Sequence, residues 1–290
     1  MPKRGRRDAG APIPLAPPPI KSLKRARRIV SAFHANHPSH ASVAAASDAE
    51  HAAYQEASAL SVRRHSTSRW VLRRLRARWP HLLGGAAAAA AKTATGAASS
   101  AAASPLPRRC LEVGAINTEL LDAGARDGLR VDAIDLRASD PRIRRADFFG
   151  LAPAGEYHVV VLSMVLNCVP EPSKRGEMLL ACARHLRGRR APDAPGGGVL
   201  FLTLPRRCLE ASRRTSADAF RALLGRAGFE VLEERFSPKI AFYILGLAPE
   251  RADAGADAGG EETAGAAREG ARGAARRKGS SRDFAVVLPS

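Results

Sequence analysis

The chain has 290 residues, in which 46 Lys and Arg outnumber 28 Asp and Glu and give a formal net charge of +18. This charge favours a polyanionic partner because phosphate contacts release condensed counterions, although a genome that uses Arg and Ala freely gives a similar composition. The length suits one ordinary domain with extensions or two small ones. The sequence has no run of about twenty apolar residues, so no membrane span is expected, and its N-terminus lacks the apolar core of a secretory signal.

The four cysteines form no C-x-x-C pair and flank no histidine at zinc-finger spacing. Three of them lie inside apolar or helical runs, which is typical of small buried residues in a reducing compartment. We therefore expect no structural metal. The cysteines are Cys110, Cys168, Cys182 and Cys208.

Residues 1–44 mix Pro, Arg and Ala without a helical period, and the run Pro12–Pro19 cannot form a helix. The sequence predicts a disordered basic arm here, and its segment Lys21–Arg28 is typical of a nuclear or nucleolar address. Residues 45–83 predict a helical segment that ends near Pro80. Residues 84–107 are rich in Ala and predict a flexible linker.

The helical segment has an apolar face and many arginines. Trp70, Leu72 and Leu75 share one side of a helix, and one of the residues 66–68 is a suitable N-cap. Such a helix packs on a domain, lies on RNA, does both, or presents a solvated basic face. The sequence leaves these alternatives open.

Short apolar runs alternate with helical patterns over residues 108–248. This alternation predicts an α/β fold of the Rossmann-like type, with a doubly wound and mostly parallel sheet. Strands are predicted at 109–113, 130–135, 142–148, 157–165, 197–205, 229–237 and 239–247, and helices at 117–124, 174–188 and 216–228. Residues 249–281 have almost no large apolar side chains and predict disorder. Residues 282–290 predict a C-terminal strand that completes the sheet.

Ligands of open α/β sheets bind beyond the carboxyl ends of the strands. The turn Glu112–Ala115 lies there, and Gly114 lets the backbone approach a ligand closely. Asp135 ends the next strand, at a spacing that suits a carboxylate accepting both ribose hydroxyls. Asp147 is placed to accept the exocyclic amine of an adenine, and Phe148 to lie against its ring.

These residues in this order predict an adenosine-containing cofactor. The sequence has no G-x-G-x-x-G turn, which argues against a pyrophosphate. S-adenosyl-L-methionine has no phosphate and fits better. Each signal alone also has a structural explanation, such as a helix cap or an ion pair.

Several stretches resemble the large-subunit (25S) rRNA adenine-N1 methyltransferases of fungi. They are LEVGAIN (111–117), IDLRASDPRIRRADFFGLAP (134–153), YHVVVLSMVLNCVPEPSKRGEMLLACARHLR (157–187) and LFLTLPRRCLEASRRTS (200–216), with weaker likeness at 54–58, 66–75 and 282–289. The resemblance implies a Rossmann-like methyltransferase fold, S-adenosyl-L-methionine bound at Gly114 and Asp135, and a role in ribosome assembly in the nucleolus of the nucleus. We expect a monomer that binds large-subunit rRNA or a pre-ribosome.

Methylation of adenine N1 requires little acid–base chemistry, because N1 is neutral at pH 7 and has a free lone pair. Alignment of the reacting atoms then dominates. Ser163, Asn167 and the backbone near Pro170 are the candidates for holding the Watson–Crick edge of the base, unless they form a capping network at a strand–helix junction. No histidine is predicted to be a catalytic base.

An animal relative of this family is a S-adenosylmethionine sensor that acts through protein partners. A sensor needs the same cofactor residues, Gly114 and Asp135, so these residues do not separate the two functions. The basic composition favours the RNA enzyme. A methyltransferase that acts on another base or on protein also stays open.

Overall fold

The computed structural model describes residues 20–62, 66–83, 108–138, 140–153, 155–188, 197–210, 212, 214–248 and 284–289. The predicted linker (84–107), the predicted disordered insertion (249–281) and residues 1–19 of the predicted arm lie outside the described residues.

Seven strands of the described chain form one sheet in the order β3-β2-β1-β4-β5-β7-β6. The first five strands are mutually parallel, and β7 is antiparallel to both β5 and β6. The strands are β1 (Arg108–Val113), β2 (Leu129–Asp135), β3 (Arg144–Arg145), β4 (Val159–Ser163), β5 (Val199–Pro205), β6 (Phe229–Phe236) and β7 (Ile240–Leu247). This topology confirms the predicted α/β, doubly wound and mostly parallel fold.

Helices precede the sheet in the chain and connect its strands. The helices are α1 (Leu23–Asn36), α2 (His40–Ala45), α3 (Asp48–Val62), α4 (Thr67–Arg78), α5 (Glu119–Arg126), α6 (Pro172–His185), α7 (Arg207–Glu210) and α8 (Ala217–Arg226). Ser216 caps α8, because its hydroxyl accepts a 3.1 Å hydrogen bond from the amide of Ala219. The central strands β4 and β5 are buried on both faces, which explains their continuous apolar sequence.

The predicted elements differ from the structure by a few residues at their ends, and two of these differences have a clear local cause. Helix α5 continues past Gly124 to Arg126, and the turn falls at Gly128, whose φ of +70° suits glycine. Strand β3 has only two residues, since Asp147 accepts from the amide of Phe149 and starts a 3₁₀ turn. Neither the turn at Gly128 nor the 3₁₀ turn at Asp147 changes the local pattern of apolar residues, so that pattern did not predict them.

The prediction of a disordered arm over residues 1–44 is wrong for residues 23–45, which form α1 and α2. The Ser22 hydroxyl caps α1, and Ser39 and Ser42 form a capping box at α2. Phe33 of α1 is buried, and its ring stacks on Tyr54 of α3 with centroids 4.5 Å apart. This part of the arm folds because α1 buries its apolar face against α3. The contact joins two separate segments of the chain, so the sequence of α1 alone does not predict it.

Helix α4 packs its apolar face on the sheet, so it is not a free helix, and contact of its basic side with RNA stays a prediction. Trp70 is 5% exposed and lies edge-on to Phe201 of β5, with ring centroids 5.2 Å apart. Ser66 provides the N-cap by accepting from the amide of Arg69. The polar side of α4 forms ion pairs with the domain, such as Arg76 with Asp127 at 2.7 Å.

The C-terminal segment 284–289 is not a strand of the sheet, so that prediction is wrong. It is extended and lies on α6, where the amide of Val287 donates to the carbonyl of Pro172 at 2.9 Å. Gly176 makes the approach possible, because a Cβ at that position would lie 1.9 Å from the carbonyl oxygen of Val287. Phe284, Ala285 and Val286 are buried. The segment has the apolar composition of a strand because its side chains are buried against α6.

Candidate cofactor and substrate site

The carboxyl ends of β1, β2 and β4 meet at one edge of the sheet. Strand β1 lies between β2 and β4, and the chain runs outward from it in opposite directions, so this is the topological switch point. The residues predicted to form the site lie in the last residues of β1, β2 and β4 or in the loops that follow β1, β3 and β4. The fold thus brings them to one edge of the sheet, and their binding and catalytic roles there stay a prediction.

Gly114 makes the turn after β1 with φ +74°. The amides of Gly114 and Ala115 both donate to the carbonyl of Ile134 in β2, at 2.9 and 3.0 Å. A Cβ at residue 114 would lie 2.5 Å from Cγ2 of Val165, which belongs to the loop after β4. Only glycine satisfies both the conformation and the contact.

Asp135 ends β2 and uses one of its two carboxylate oxygens within the protein. Its Oδ1 accepts from the amide of Arg137 and from the side-chain amide of Gln55, both at 2.8 Å. No hydrogen bond from a described residue reaches Oδ2, which leaves it for a ligand hydroxyl. Burial raises the pKa of Asp135 and the two hydrogen bonds lower it; burial has the larger effect, so the pKa is about 6. Asp135 is therefore mostly ionised at neutral pH.

Helix α3 reaches this edge from the N-terminal part of the chain. Besides its bond to Asp135, Gln55 donates to the carbonyl of Arg137. The guanidinium of Arg137 forms an ion pair with Asp48 at 2.8 Å and donates to the carbonyl of Ala46 at 3.1 Å. The hydroxyl of Tyr54 lies 3.4 Å from Sγ of Cys168. Sequence reasoning missed Gln55, because nothing local to residue 55 indicates a contact with residue 135.

Glu112 lies within β1 just before the glycine turn, and its Oε2 is buried with no hydrogen-bond partner among the described residues. Burial, with a smaller contribution from the charge of Glu119, raises the pKa of Glu112 from 4.5 to about 8. Its carboxyl is therefore largely protonated at pH 7. An unpaired buried acceptor of this kind suits a cationic or hydrogen-bonding ligand group.

Asp147 and Phe148 lie after β3 on the same edge. The Asp147 carboxylate accepts from the amide of Phe149 at 3.0 Å and so fixes the 3₁₀ turn. Phe148 is 4% exposed and packs in the core, with its ring centroid 5.4 Å from that of His185. The core packing accounts for the burial of Phe148, and contacts of either residue with an adenine stay a prediction.

The loop after β4 holds the two residues predicted to orient the substrate. The Ser163 hydroxyl lies 3.0 Å from the hydroxyls of both Thr67 and Thr203, so it joins the start of α4 to β5. Met164 has φ +60°, a strained conformation for a residue with a side chain. Asn167 contacts Sγ of Cys168 through Nδ2 at 3.4 Å, while its buried Oδ1 has no partner among the described residues. The structure thus bonds the Ser163 hydroxyl to two threonine hydroxyls and leaves the Oδ1 of Asn167 without a protein partner among the described residues.

Arg175 of α6 holds the end of this loop. It is buried, and it donates to the carbonyls of Val169 at 2.7 Å and of Pro170 at 3.2 Å. It also donates to the carbonyl of Ala285 at 2.7 Å, and its guanidinium lies 4.6 Å from the ring centroid of Phe284. One side chain therefore connects the loop with the C-terminal segment. Sequence analysis singled out the residues around Arg175 only as a motif and missed this contact.

No helix in the described ranges combines the length and apolarity that crossing a membrane requires. Within the same ranges, no group of three or more His, Cys, Asp or Glu side chains is arranged to hold a metal ion.

The strand order and the carboxyl-edge site define a Rossmann-like fold of the S-adenosylmethionine-dependent methyltransferase class. The chain belongs to the family described as 25S rRNA (adenine(2142)-N(1))-methyltransferase, Bmt2, whose family model matches residues 43–272. This confirms the resemblance noted in the sequence.

A protein named 25S rRNA adenine-N(1) methyltransferase from Schizosaccharomyces pombe (strain 972 / ATCC 24843) is 32% identical over 140 residues. The match covers 48% of this chain and 50% of that protein, so the chain spans about half the length of the curated relative it matches.

Two solved structures are similar at a lower level. The N-methyltransferase NodS from Bradyrhizobium japonicum WM9, in complex with S-adenosyl-L-homocysteine, is 14% identical, with a TM-score of 0.35 over 48% of this chain and 78% of that one. A variant of the 16S rRNA (adenine(1408)-N(1))-methyltransferase from Catenulisporales acidiphilia is 12% identical, with a TM-score of 0.35 over 50% of this chain and 86% of that one. The fold assignment rests on the strand order and not on these two structures.

Proposed function

We propose that the protein transfers a methyl group from S-adenosyl-L-methionine to N1 of an adenosine in large-subunit (25S) rRNA during ribosome biogenesis. The observation that carries this proposal is membership of the family over residues 43–272. The open acceptors at the carboxyl edge of the sheet support it, because they are the groups that such a cofactor and an adenine require.

Four groups of the chain suit the cofactor. Oδ2 of Asp135 accepts from ribose hydroxyls, and Oε2 of Glu112 accepts from an ammonium or another donor of the methionine part. The Gly114 turn has no side chain of its own between the backbone and the ligand, and Asp147 is the proposed acceptor for the adenine amine. Bound S-adenosyl-L-methionine supplies a methyl group on a positively charged sulfur.

The chain orients the substrate adenine and removes no proton from it. The N1 lone pair forms the new N–C bond while the S–C bond breaks and its electron pair stays on sulfur. Asn167 Oδ1 accepts from the exocyclic amine, which lies beside N1 on the same edge of the base. Ser163, through Thr67 and Thr203, and Arg175, through Val169 and Pro170, keep the loop in place. Catalysis by alignment is worth several orders of magnitude in rate.

The partner we propose is rRNA with the target adenosine unpaired or flipped, because N1 is hidden in a base pair. The net charge of +18 supports an RNA partner. We also propose that the protein is a monomer and that it is located in the nucleolus. The mass of the full-length protein in solution tests the first proposal, and imaging of a tagged full-length protein tests the second.

The test is methyl transfer by the full-length protein from isotope-labelled S-adenosyl-L-methionine to purified 25S rRNA, with nucleoside mass spectrometry as the readout. We expect labelled N1-methyladenosine with the wild type, and none with Asp135→Ala. Asp122→Ala, which removes an exposed carboxylate of α5 that faces Arg142, should keep activity. A protein that retains the cofactor and methylates no RNA would instead support the sensor function. A protein that never retains the cofactor would overturn both.

A further inference from the structure

Three chain segments bring basic side chains together at the amino edge of the sheet, opposite the site described above. Arg108 begins β1, His158 immediately precedes β4, and Arg187 lies two residues after α6. Backbone hydrogen bonds fix their spacing, since the amide of His158 donates to the carbonyl of Arg109 at 2.9 Å and the amide of Arg187 donates to the carbonyl of Tyr157 at 2.8 Å. These positions belong to the rigid frame of the fold.

The hydrogen-bonding groups of this cluster do not match one another. Nε2 of His158 lies 3.1 Å from Nη1 of Arg108 and 3.2 Å from Nη1 of Arg187, and a guanidinium has only donors. Nδ1 lies 3.2 Å from the amide nitrogen of Arg109, which is also a donor. A neutral imidazole has one N–H and one acceptor nitrogen. Either tautomer therefore turns an N–H towards a donor, and a protonated ring does so at both nitrogens.

The positive charge of the cluster is not balanced by a carboxylate. Arg109 is neutralised by Asp132 at 2.8 Å and by Glu156, and its guanidinium lies over the ring of Tyr157. Arg108 and Arg187 have no such ion pair with any described residue. A ligand with anionic oxygens would accept from both guanidinium groups and from the imidazole, and so supply the missing acceptor.

The electrostatics of the histidine agree with an excess of positive charge. Burial, followed by the charges of Arg108, Arg187 and Arg109, lowers the pKa of His158 from 6.5 to about 4. His81 experiences the same field, because burial and the charge of Arg108 lower its pKa as well. The imidazole of His158 is therefore mostly neutral at pH 7.

We propose that Arg108, His158 and Arg187 form a phosphate-binding site that holds one backbone phosphate of the RNA. The choice of RNA as the source of the phosphate rests on the proposed function and on the net charge of +18. Both guanidinium groups lie beside the same imidazole nitrogen, so their N–H donors are close enough together to share one phosphate group. The site lies at the edge opposite Gly114 and Asp135, so it contacts RNA that flanks the target base and carries no sequence specificity.

The first test measures RNA affinity of the full-length protein as a function of salt concentration. The double variant Arg108→Gln/Arg187→Gln should bind RNA more weakly at low salt, and the slope of log K against log salt should decrease by about 1. The matched control is Arg142→Gln/Arg221→Gln, which removes the same charge from two arginines that already have carboxylate partners. Equal losses in the two double variants would overturn the site.

The second test uses inorganic phosphate and the NMR signals of the His158 ring. Added phosphate should shift these signals and raise the pKa of His158, and the shift should be absent in Arg108→Gln/Arg187→Gln. No shift at any phosphate concentration overturns the site. A phosphate shift together with an unchanged RNA affinity in the double variant overturns RNA as the occupant.

These binding measurements are independent of methyl transfer. If the protein binds RNA through this site and methylates no adenosine, the proposed function fails and this inference stands. If it methylates rRNA and the double variant binds RNA like its control, the inference fails and the proposed function stands.

Discussion

The side-chain amide of Gln55 donates a 2.8 Å hydrogen bond to Oδ1 of Asp135, across 80 residues of sequence. The amide of Arg137 donates to the same oxygen, so both protein donors leave Oδ2 to the ligand. The N-terminal helix α3 therefore orients the carboxylate that we assign to the ribose. The helical part and the sheet contribute to one site.

Gln55→Leu should weaken binding of S-adenosyl-L-methionine about fivefold, because one hydrogen bond that orients Asp135 is worth about 1 kcal/mol. Isothermal titration calorimetry on the purified full-length protein measures this directly. Ala52→Leu, an exposed change on the same helix, is the control and should bind like the wild type. If Gln55→Leu binds as tightly as Ala52→Leu, α3 has no part in the cofactor site.

Glu112 should make the stability of the protein depend on pH. Its pKa is raised in the fold from 4.5 to about 8, so between these values the folded protein holds a proton that the unfolded chain has released. The stabilisation is complete below pH 4.5 and is lost as the pH rises through 8. Relative to Glu112→Gln, the wild type should lose on the order of 1 kcal/mol of unfolding free energy per pH unit between pH 6 and 7.5.

Urea denaturation of the wild type and of Glu112→Gln at several pH values in this range tests the point. The difference between the two proteins cancels the contributions of other titrating groups. If the unfolding free energies of the two proteins change in parallel with pH, Glu112 is ionised in the folded protein and already has a partner.

Asn167→Ala should lower the turnover of methyl transfer about five- to thirtyfold while leaving cofactor affinity near that of the wild type. The reason is that its buried Oδ1 is open towards a substrate and has no structural partner among the described residues, and an orienting hydrogen bond of this kind is worth roughly 1–2 kcal/mol in the transition state. Single-turnover kinetics and calorimetry separate the two effects. A collapse of cofactor affinity would show that Asn167 is structural.

Arg175→Lys should lower both turnover and stability. A lysine cannot donate to three carbonyls in the directions that a guanidinium provides, and the loss of these bonds should reduce the free energy of unfolding by about 2 kcal/mol. Phe284→Ala should act in the same direction, since Phe284 packs on the guanidinium. Arg184→Lys, an exposed arginine of the same helix, is the control for unfolding and for turnover. Wild-type turnover in Arg175→Lys would show that the contact of Arg175 with the C-terminal segment and the loop after β4 does not affect catalysis.

The sequence predicted the parallel sheet well because buried parallel strands are locally distinctive. Strands β4 and β5 are continuous apolar runs, and Gly114 and Asp135 follow their strands at the expected positions. Since carboxyl ends of parallel strands meet at one edge, the sequence also located the candidate site.

What the sequence did not predict depends on contacts between distant residues. Gln55 bonds to Asp135, and Arg175 bonds to Ala285, without any local periodicity that indicates either pair. Residues 284–289 have the apolar composition of a strand, but Gly176 opens a place for them on α6 instead. Helix α1 has an N-cap at Ser22 that the sequence analysis overlooked, and it needs α3 to cover Phe33.

Primer extension across the large-subunit rRNA tests the central claim most directly, because a methyl on adenine N1 blocks reverse transcription. In cells that lack the protein, we predict that one strong stop disappears. The wild-type chain should restore it, and Asp135→Ala should not. A stop pattern that is identical with and without the protein would contradict the account.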